Sequence, residues 1–168
     1  MSEDLTDALA ALSQAMAIEQ EGIDFYSRAA EEASDREASH TLRRLARDEQ
    51  SHLALLKRQY HSLSHEGTWQ DVPEVNPSAS TSPGSPPFPR LEKAPPQISL
   101  PGSSAADILV FGMGIETRSY DLYSKEASGT NDPRGQAMYR FLIEEETRHF
   151  DLLMSRYEQL TGPAGWQY

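Results

Sequence analysis

The segment IEQEGIDFY at 18–26, followed by DEQSH at 48–52, recurs 97 residues later as IETRSYDLY at 115–123 and EETRH at 145–149, the latter within EEETRH. Ile18, Glu19, Asp24, Tyr26, Ser27 and Ala30 return as Ile115, Glu116, Asp121, Tyr123, Ser124 and Ala127. Glu49, His52, Leu55, Leu56, Tyr60 and Leu63 return as Glu146, His149, Leu152, Leu153, Tyr157 and Leu160. No gap is needed to align the copies, so one structural unit has been written twice.

Each copy reads as a pair of long helices. From about Leu5 to Ala33, Glu37 to Leu63, Ser104 to Ala127 and Arg134 to Leu160 the apolar residues keep helical spacing, with few breakers and many good helix formers. The turns are legible too. Ser34 followed by Glu37 fits a capping box, and Asp132 before Pro133 fits an N-cap with proline at the first helical position. Nine of the eleven prolines fall between Pro73 and Pro101, so the middle of the chain is not helical. A connection of about 40 residues is long for a compact domain, but helices of this length make rods of roughly 40 Å that a crossover must span end to end. The expected architecture over 1–168 is one all-α domain, a four-helix bundle of two duplicated hairpins. Hairpin 1 covers about 3–63, a Pro-rich crossover about 64–103, hairpin 2 about 104–161 and a tail 162–168.

The bundle-facing seams carry ionisable residues at matching levels. In the first helix the stripe runs Leu5, Leu9, Leu12, Met16, Glu19, Ile23, Tyr26, Ala30, stepping by four and three. In the second it runs Leu42, Leu45, Glu49, His52, Leu56, Tyr60, Leu63. The third and fourth repeat the interruption at Glu116 and at Glu146 with His149. Glu19 and Glu49 lie symmetrically about position 34, and Glu116 and Glu146 about position 131, each roughly 22 Å from its turn. Face-to-face halves therefore bring four carboxylates and two imidazoles together at mid-bundle. Unpaired buried charge costs several kcal/mol, and no lysine or arginine stands on the seams at that level. Metal is the expected compensating charge, since two divalent ions cancel four carboxylates. Oxygen and imidazole donors suit iron or manganese, with zinc less suited to bridging carboxylates.

Composition narrows the alternatives. A formal charge of −11 disfavours nucleic acid and anionic membrane surfaces as partners. The absence of cysteine removes disulfides, thiolate zinc sites, iron–sulfur clusters and a rubredoxin-type module from these residues. The acidic start MSEDLTDALAAL lacks the basic n-region and apolar h-region of a signal peptide, and no apolar run reaches the 18 to 20 residues that span a bilayer. A cytoplasmic protein is expected. Gly112 and Gly114 make no phosphate loop, though they allow close helix approach. His40, His61 and His65 stand outside the repeat and read as surface residues. Asp48 and Glu145 precede the seam glutamates and read chiefly as solvated flank charges, or alternatively as groups orienting a histidine. Tyr26 and Tyr123 stand two turns from Glu19 and Glu116. Core packing is their commoner role, with hydrogen bonding to the ligands or radical trapping as the alternative.

Two Glu-x-x-His elements, each with an upstream glutamate at one spacing, resemble the ferritin-like di-iron carboxylate superfamily, and within it the rubrerythrin-like and bacterioferritin-like proteins. The resemblance covers both hairpins. It implies two iron ions bridged by Glu49 and Glu146, with Glu19, His52, Glu116 and His149 as terminal ligands. It also implies a redox enzyme using peroxide or dioxygen, an external electron donor and a homodimer. Ser119 stands where rubrerythrins place a further carboxylate, which questions their redox-linked iron movement. A non-catalytic iron-binding or storage protein, or a bundle with a redox-silent metal site, is the alternative reading.

Overall fold

The computed structural model describes residues 3–72, 100 and 102–162. Most of the expected crossover and of the tail lies outside these. Among the described residues there are four helices and no strand: α1 (Glu3–Glu32), α2 (Arg36–Glu66), α3 (Ala105–Gly129) and α4 (Pro133–Thr161). The fold is an all-α four-helix bundle.

Local chemistry sets the helix ends. The α2 N-cap is Asp35, whose carboxylate accepts from the Ala38 N–H at 2.8 Å, so the cap lies one residue past Ser34 and, with alanine at the third helical position, it is a one-way cap in place of the expected Ser34–Glu37 box. Aspartate offers a fixed charge to the positive end of the helix, where serine offers a neutral oxygen. Ser104 and Asp107 form a reciprocal capping box at α3, and Asp132 caps α4 ahead of Pro133 as expected. Helix α2 runs three residues beyond Leu63 and ends on Gly67 at φ 68°, a left-handed conformation that glycine adopts at little cost.

Within each hairpin the helices pack along their length, and the halves meet chiefly along α1 and α3. The buried face of α1 is broader than a two-position seam. Phe25 and Ile18 are buried while Ile23 is only half-buried, because α1 must cover α2 on one side and α3 on the other.

The first residues of the expected crossover are part of the bundle. Beyond Gly67 the chain folds back as a strap. Ser62 Oγ donates to Thr68 O at 2.8 Å, and the Gln59 side chain both donates to Gln70 O and accepts from Gln70 N–H at 3.0 Å. The Trp69 ring is thereby inserted beside the α3–α4 turn, edge-on to Tyr139 at 5.8 Å between centroids. Gly135 makes the space: a Cβ there would lie 2.7 Å from Thr130 Cγ2 and 2.8 Å from Trp69 Cε2. Gly135→Ala is expected to lower unfolding free energy by about 1–3 kcal/mol through overpacking. Equilibrium urea denaturation followed by circular dichroism measures it.

Candidate metal centre

All six side chains singled out on the seams, Glu19, Glu49, His52, Glu116, Glu146 and His149, are buried and adjoin one another. They form two overlapping groups, Glu19–Glu49–His52–Glu146 and Glu49–Glu116–Glu146–His149, whose donor atoms lie within 4.8 Å of each other. Glu49 and Glu146 belong to both. Each helix contributes where the repeat requires: α1 and α3 one glutamate each, α2 and α4 an i, i+3 glutamate and histidine that share one face.

The imidazoles point the same way. His52 Nδ1 lies 3.1 Å from Glu49, 3.4 Å from Glu146 and 3.5 Å from Glu19. His149 Nδ1 lies 3.0 Å from Glu49, 3.5 Å from Glu116 and 3.6 Å from Glu146. The two rings stack at 5.5 Å between centroids. Their other nitrogens face acids of the opposite hairpin: His149 Nε2 is 3.5 Å from Asp48, and His52 Nε2 is 3.9 Å from Glu145. Asp48 and Glu145 are thus only partly solvated. Each reaches behind a histidine while pairing with a basic residue, Arg44 and Arg148 respectively.

The tyrosines are both core residues and donors. Tyr26 Oη donates to Glu116 Oε1, and Tyr123 Oη donates to Glu19 Oε1, each crossing from one hairpin to the other. One oxygen of each carboxylate is thereby held from behind. The other, Oε2 of Glu19 and of Glu116, is buried with no hydrogen-bond partner, as are Glu49 Oε1 and both oxygens of Glu146. The His149 nitrogens lie close to carboxylates but not in line for a hydrogen bond. Converging, unpartnered carboxylate oxygens in an apolar interior are the donor set a cation needs, and without one they repel. The residues present therefore fit a pair of metal ions.

Gly22 and Trp69 escaped the sequence reading, whereas Gly112 was expected to allow close approach. A Cβ on Gly22 would stand 3.3 Å from Glu49 Cγ, so this glycine makes room for a shared carboxylate. Gly112 does the same for Tyr26, whose ring carbon and hydroxyl would be 3.1 and 3.2 Å away. Tyr139 and Trp69 continue the aromatic packing outward from Tyr123, whose ring centroid is 6.0 Å from that of Tyr139. The glycine in an i+3 relation to Glu19 was a usable signal. Trp69 follows the periodic segment, and its signal is the return of Trp-Gln at the 97-residue offset.

The electrostatics follow from burial and crowding. Burial, helped by Glu49, pushes Glu19 up to about 8, and burial with the charges of Glu49, Glu19 and Glu116 raises Glu146 well above the ordinary range. Burial and the Glu116 charge act upward on Glu49, but the close approach of Glu19, His149 and His52 holds it below its usual value. Burial is likewise outweighed at Glu116, by His149, Glu146 and Tyr26. Both imidazoles are held protonated, since the surrounding carboxylates overcome the desolvation that opposes their charge. Burial and the adjacent carboxylates raise Tyr26 and Tyr123, which remain donors.

The pH dependence of the chelator-stripped protein has a definite sign. From the ordinary carboxylate value of 4.5 up to about 8, Glu19 and Glu146 hold protons in the folded state that the unfolded chain has released, and above the ordinary imidazole value of 6.5 the two histidines do so as well. Where the folded state binds more protons, stability falls as pH rises. Glu49 and Glu116 act oppositely, contributing above 4.5 and losing that contribution as pH falls. Melting scans of stripped protein should give the highest Tm near pH 5 and a lower Tm at pH 8. Metal-loaded protein should show the reverse order, because loading expels those protons.

Residues 2–60, the first hairpin, match the protein-family model for Rubrerythrin. Comparison with curated proteins gives no match. Among solved structures, a hypothetical protein from Pyrococcus furiosus is similar in fold, with a TM-score of 0.65 and 24% identity over 91% of this chain and 89% of that chain. The family match is consistent with the resemblance to rubrerythrin-like proteins read from the two motifs, and the structural match with the four-helix fold. No helix among the described residues is long and apolar enough to cross a membrane.

Proposed function

We propose that this chain is a di-iron oxidoreductase that reacts with peroxide or dioxygen, of the rubrerythrin-like peroxidase or ferroxidase kind. The reading rests on one observation above all: two four-residue donor groups that share Glu49 and Glu146. That sharing is the arrangement a pair of bridged ions requires, and two divalent ions balance four carboxylates. When bound, such a pair supplies two one-electron reducing equivalents and open positions for a small oxidant.

The chain's own residues prepare the site for that task. Tyr26 and Tyr123 fix one oxygen each of Glu116 and Glu19, which leaves the second oxygen of each directed inward. Glu145 and Asp48 stand behind the histidines, so that Nδ1 rather than Nε2 is presented to the centre. Phe141 is edge-on to His52 at 6.3 Å, and the buried Leu56, Met113 and Leu142 each stand one helical turn from a donor, an apolar setting that strengthens the electrostatic contacts inside. No cysteine is available in these residues to hold an iron–sulfur donor, so re-reduction is assigned to an external electron-donor protein or, in ferroxidase mode, to exchange with ferrous substrate. A cytoplasmic homodimer belongs to this reading.

Anaerobic loading with ferrous iron followed by elemental analysis should give about two ions per chain, and a visible absorption should develop on oxidation. Glu49→Ala and Glu146→Ala should each lose both ions, whereas Glu116→Ala should lose mainly one. Undiminished iron in Glu49→Ala with Glu146→Ala would overturn the ligand set. Stopped-flow mixing separates the chemistries: faster oxidation by peroxide than by dioxygen supports the peroxidase, and the reverse order the ferroxidase. A colourless, redox-silent protein that takes up zinc alone would reject both.

A further inference from the structure

The duplication does not stop at the helices. Trp69-Gln70 returns at the same 97-residue offset as Trp166-Gln167. In the first copy the strap after α2 seats Trp69 beside the α3–α4 turn, against Thr130 and Gly135 and edge-on to Tyr139. At that end of the bundle Leu63 is 3% exposed.

Carrying these positions across by the offset gives Ala33 for Thr130, Ala38 for Gly135, Leu42 for Tyr139 and Leu160 for Leu63. All four line one groove of about 240 Å³ beside the α1–α2 turn. Leu160, the repeat mate of buried Leu63, is 59% exposed, and it is the large apolar side chain left open among the described residues. One end of the pseudo-symmetric bundle is therefore covered by an indole, and its counterpart presents a matching apolar groove.

We infer that this groove is the seat of Trp166 from the same chain, which closes the α1–α2 end as Trp69 closes the α3–α4 end. Sizes agree with the exchange. Ala38 adds a methyl group where Gly135 has none, but Ala33 and Leu42 are smaller than Thr130 and Tyr139, so the groove keeps room for a bicyclic ring. Reach agrees as well: Trp166 follows Leu160 by six residues, as Trp69 follows Leu63. Helix α4 stops at Thr161, two residues earlier in register than α2, which gives the second strap slack to pass the added methyl. Where Gln59 and Ser62 anchor the first strap, the second copy has Arg156 and Gln159, both on the groove and both bearing N–H donors for strap carbonyls.

Fluorine NMR of the full chain carrying 5-fluorotryptophan tests this. Two resonances are expected, that of Trp166 being the one lost in Trp166→Phe, a substitution outside the bundle core. The Trp166 resonance should be shifted from its position in urea, should not move on dilution, and should move to the urea position in Leu160→Asp while the Trp69 resonance stays. A Trp166 resonance already at the urea position in the native protein overturns the inference. A shift that disappears on dilution also overturns it, since it means docking onto a second copy. Insensitivity to Leu160→Asp overturns the groove as the seat. If Leu160→Asp does not fold, the milder Leu160→Ser reports the same shift, because residue 160 is largely exposed.

Discussion

Four carboxylates, Glu19, Glu49, Glu116 and Glu146, lie in one apolar interior, each with at least one unpartnered oxygen. Among the described residues no protein cation enters among them apart from the two imidazoles, so their mutual repulsion is the constraint that the surrounding structure answers. Protons answer it partly, at Glu19 and Glu146, and hydrogen bonds answer it at Glu49 and Glu116. Metal answers it fully. The tyrosine hydroxyls make sense only in this light. A hydroxyl given to the outer oxygen of a carboxylate satisfies that atom without occupying the inner one, which keeps the donor set open toward its centre.

Much of this was legible because a period and an offset are geometric statements. Residues three and four apart on a helix share a face, so Glu49 with His52 and Glu146 with His149 had to face inward together, and equal distances from the turns had to put them at one level. Helical spacing does not say which helix a side chain reaches, however. Tyr26 shares a face with Glu19, yet its hydroxyl goes to Glu116, because the side chain is long enough to cross to α3 where Gly112 leaves room. Asp48 likewise looks outward on its own helix and still meets His149 across the bundle. The register of a cap is another such limit. Ser34 and Asp35 both have the chemistry, and only the path of the turn decides that Asp35 reaches the Ala38 amide.

Trp69 illustrates a different limit. Proline and serine density marks the middle of the chain as irregular, and irregular segments are ordinarily superficial. The strap at 67–72 departs from that expectation because the Thr68 carbonyl and the Gln70 N–H and carbonyl, which flank the indole, are met by Ser62 and Gln59. Its sequence signal was the repeat itself, Trp-Gln at the same offset, rather than any local propensity.

Repeat mates that touch one another mark where the pseudo-two-fold axis of the bundle runs. His52 stacks on His149, and Glu21 meets Arg118 at 2.6 Å; each pair is related by the same offset. The axis therefore passes between α1 and α3 and on through the centre, which is why the two ligand sets converge. On such an axis an unmodified copy would oppose like with like. At the exposed level the conflict has been removed by divergence, since Glu21 opposed by Arg118 gives an ion pair where two glutamates would repel. At the buried level divergence is not available: if two ions are to be held, both Glu49 and Glu146 must remain carboxylates, and both histidines must remain histidines. A single chain that carries both copies can vary one position without the other, which a dimer of identical hairpins cannot do. Of the mates that meet on the axis, Glu21 and Arg118 thus differ where it is exposed to water, and His52 and His149 are identical where it crosses the donor set.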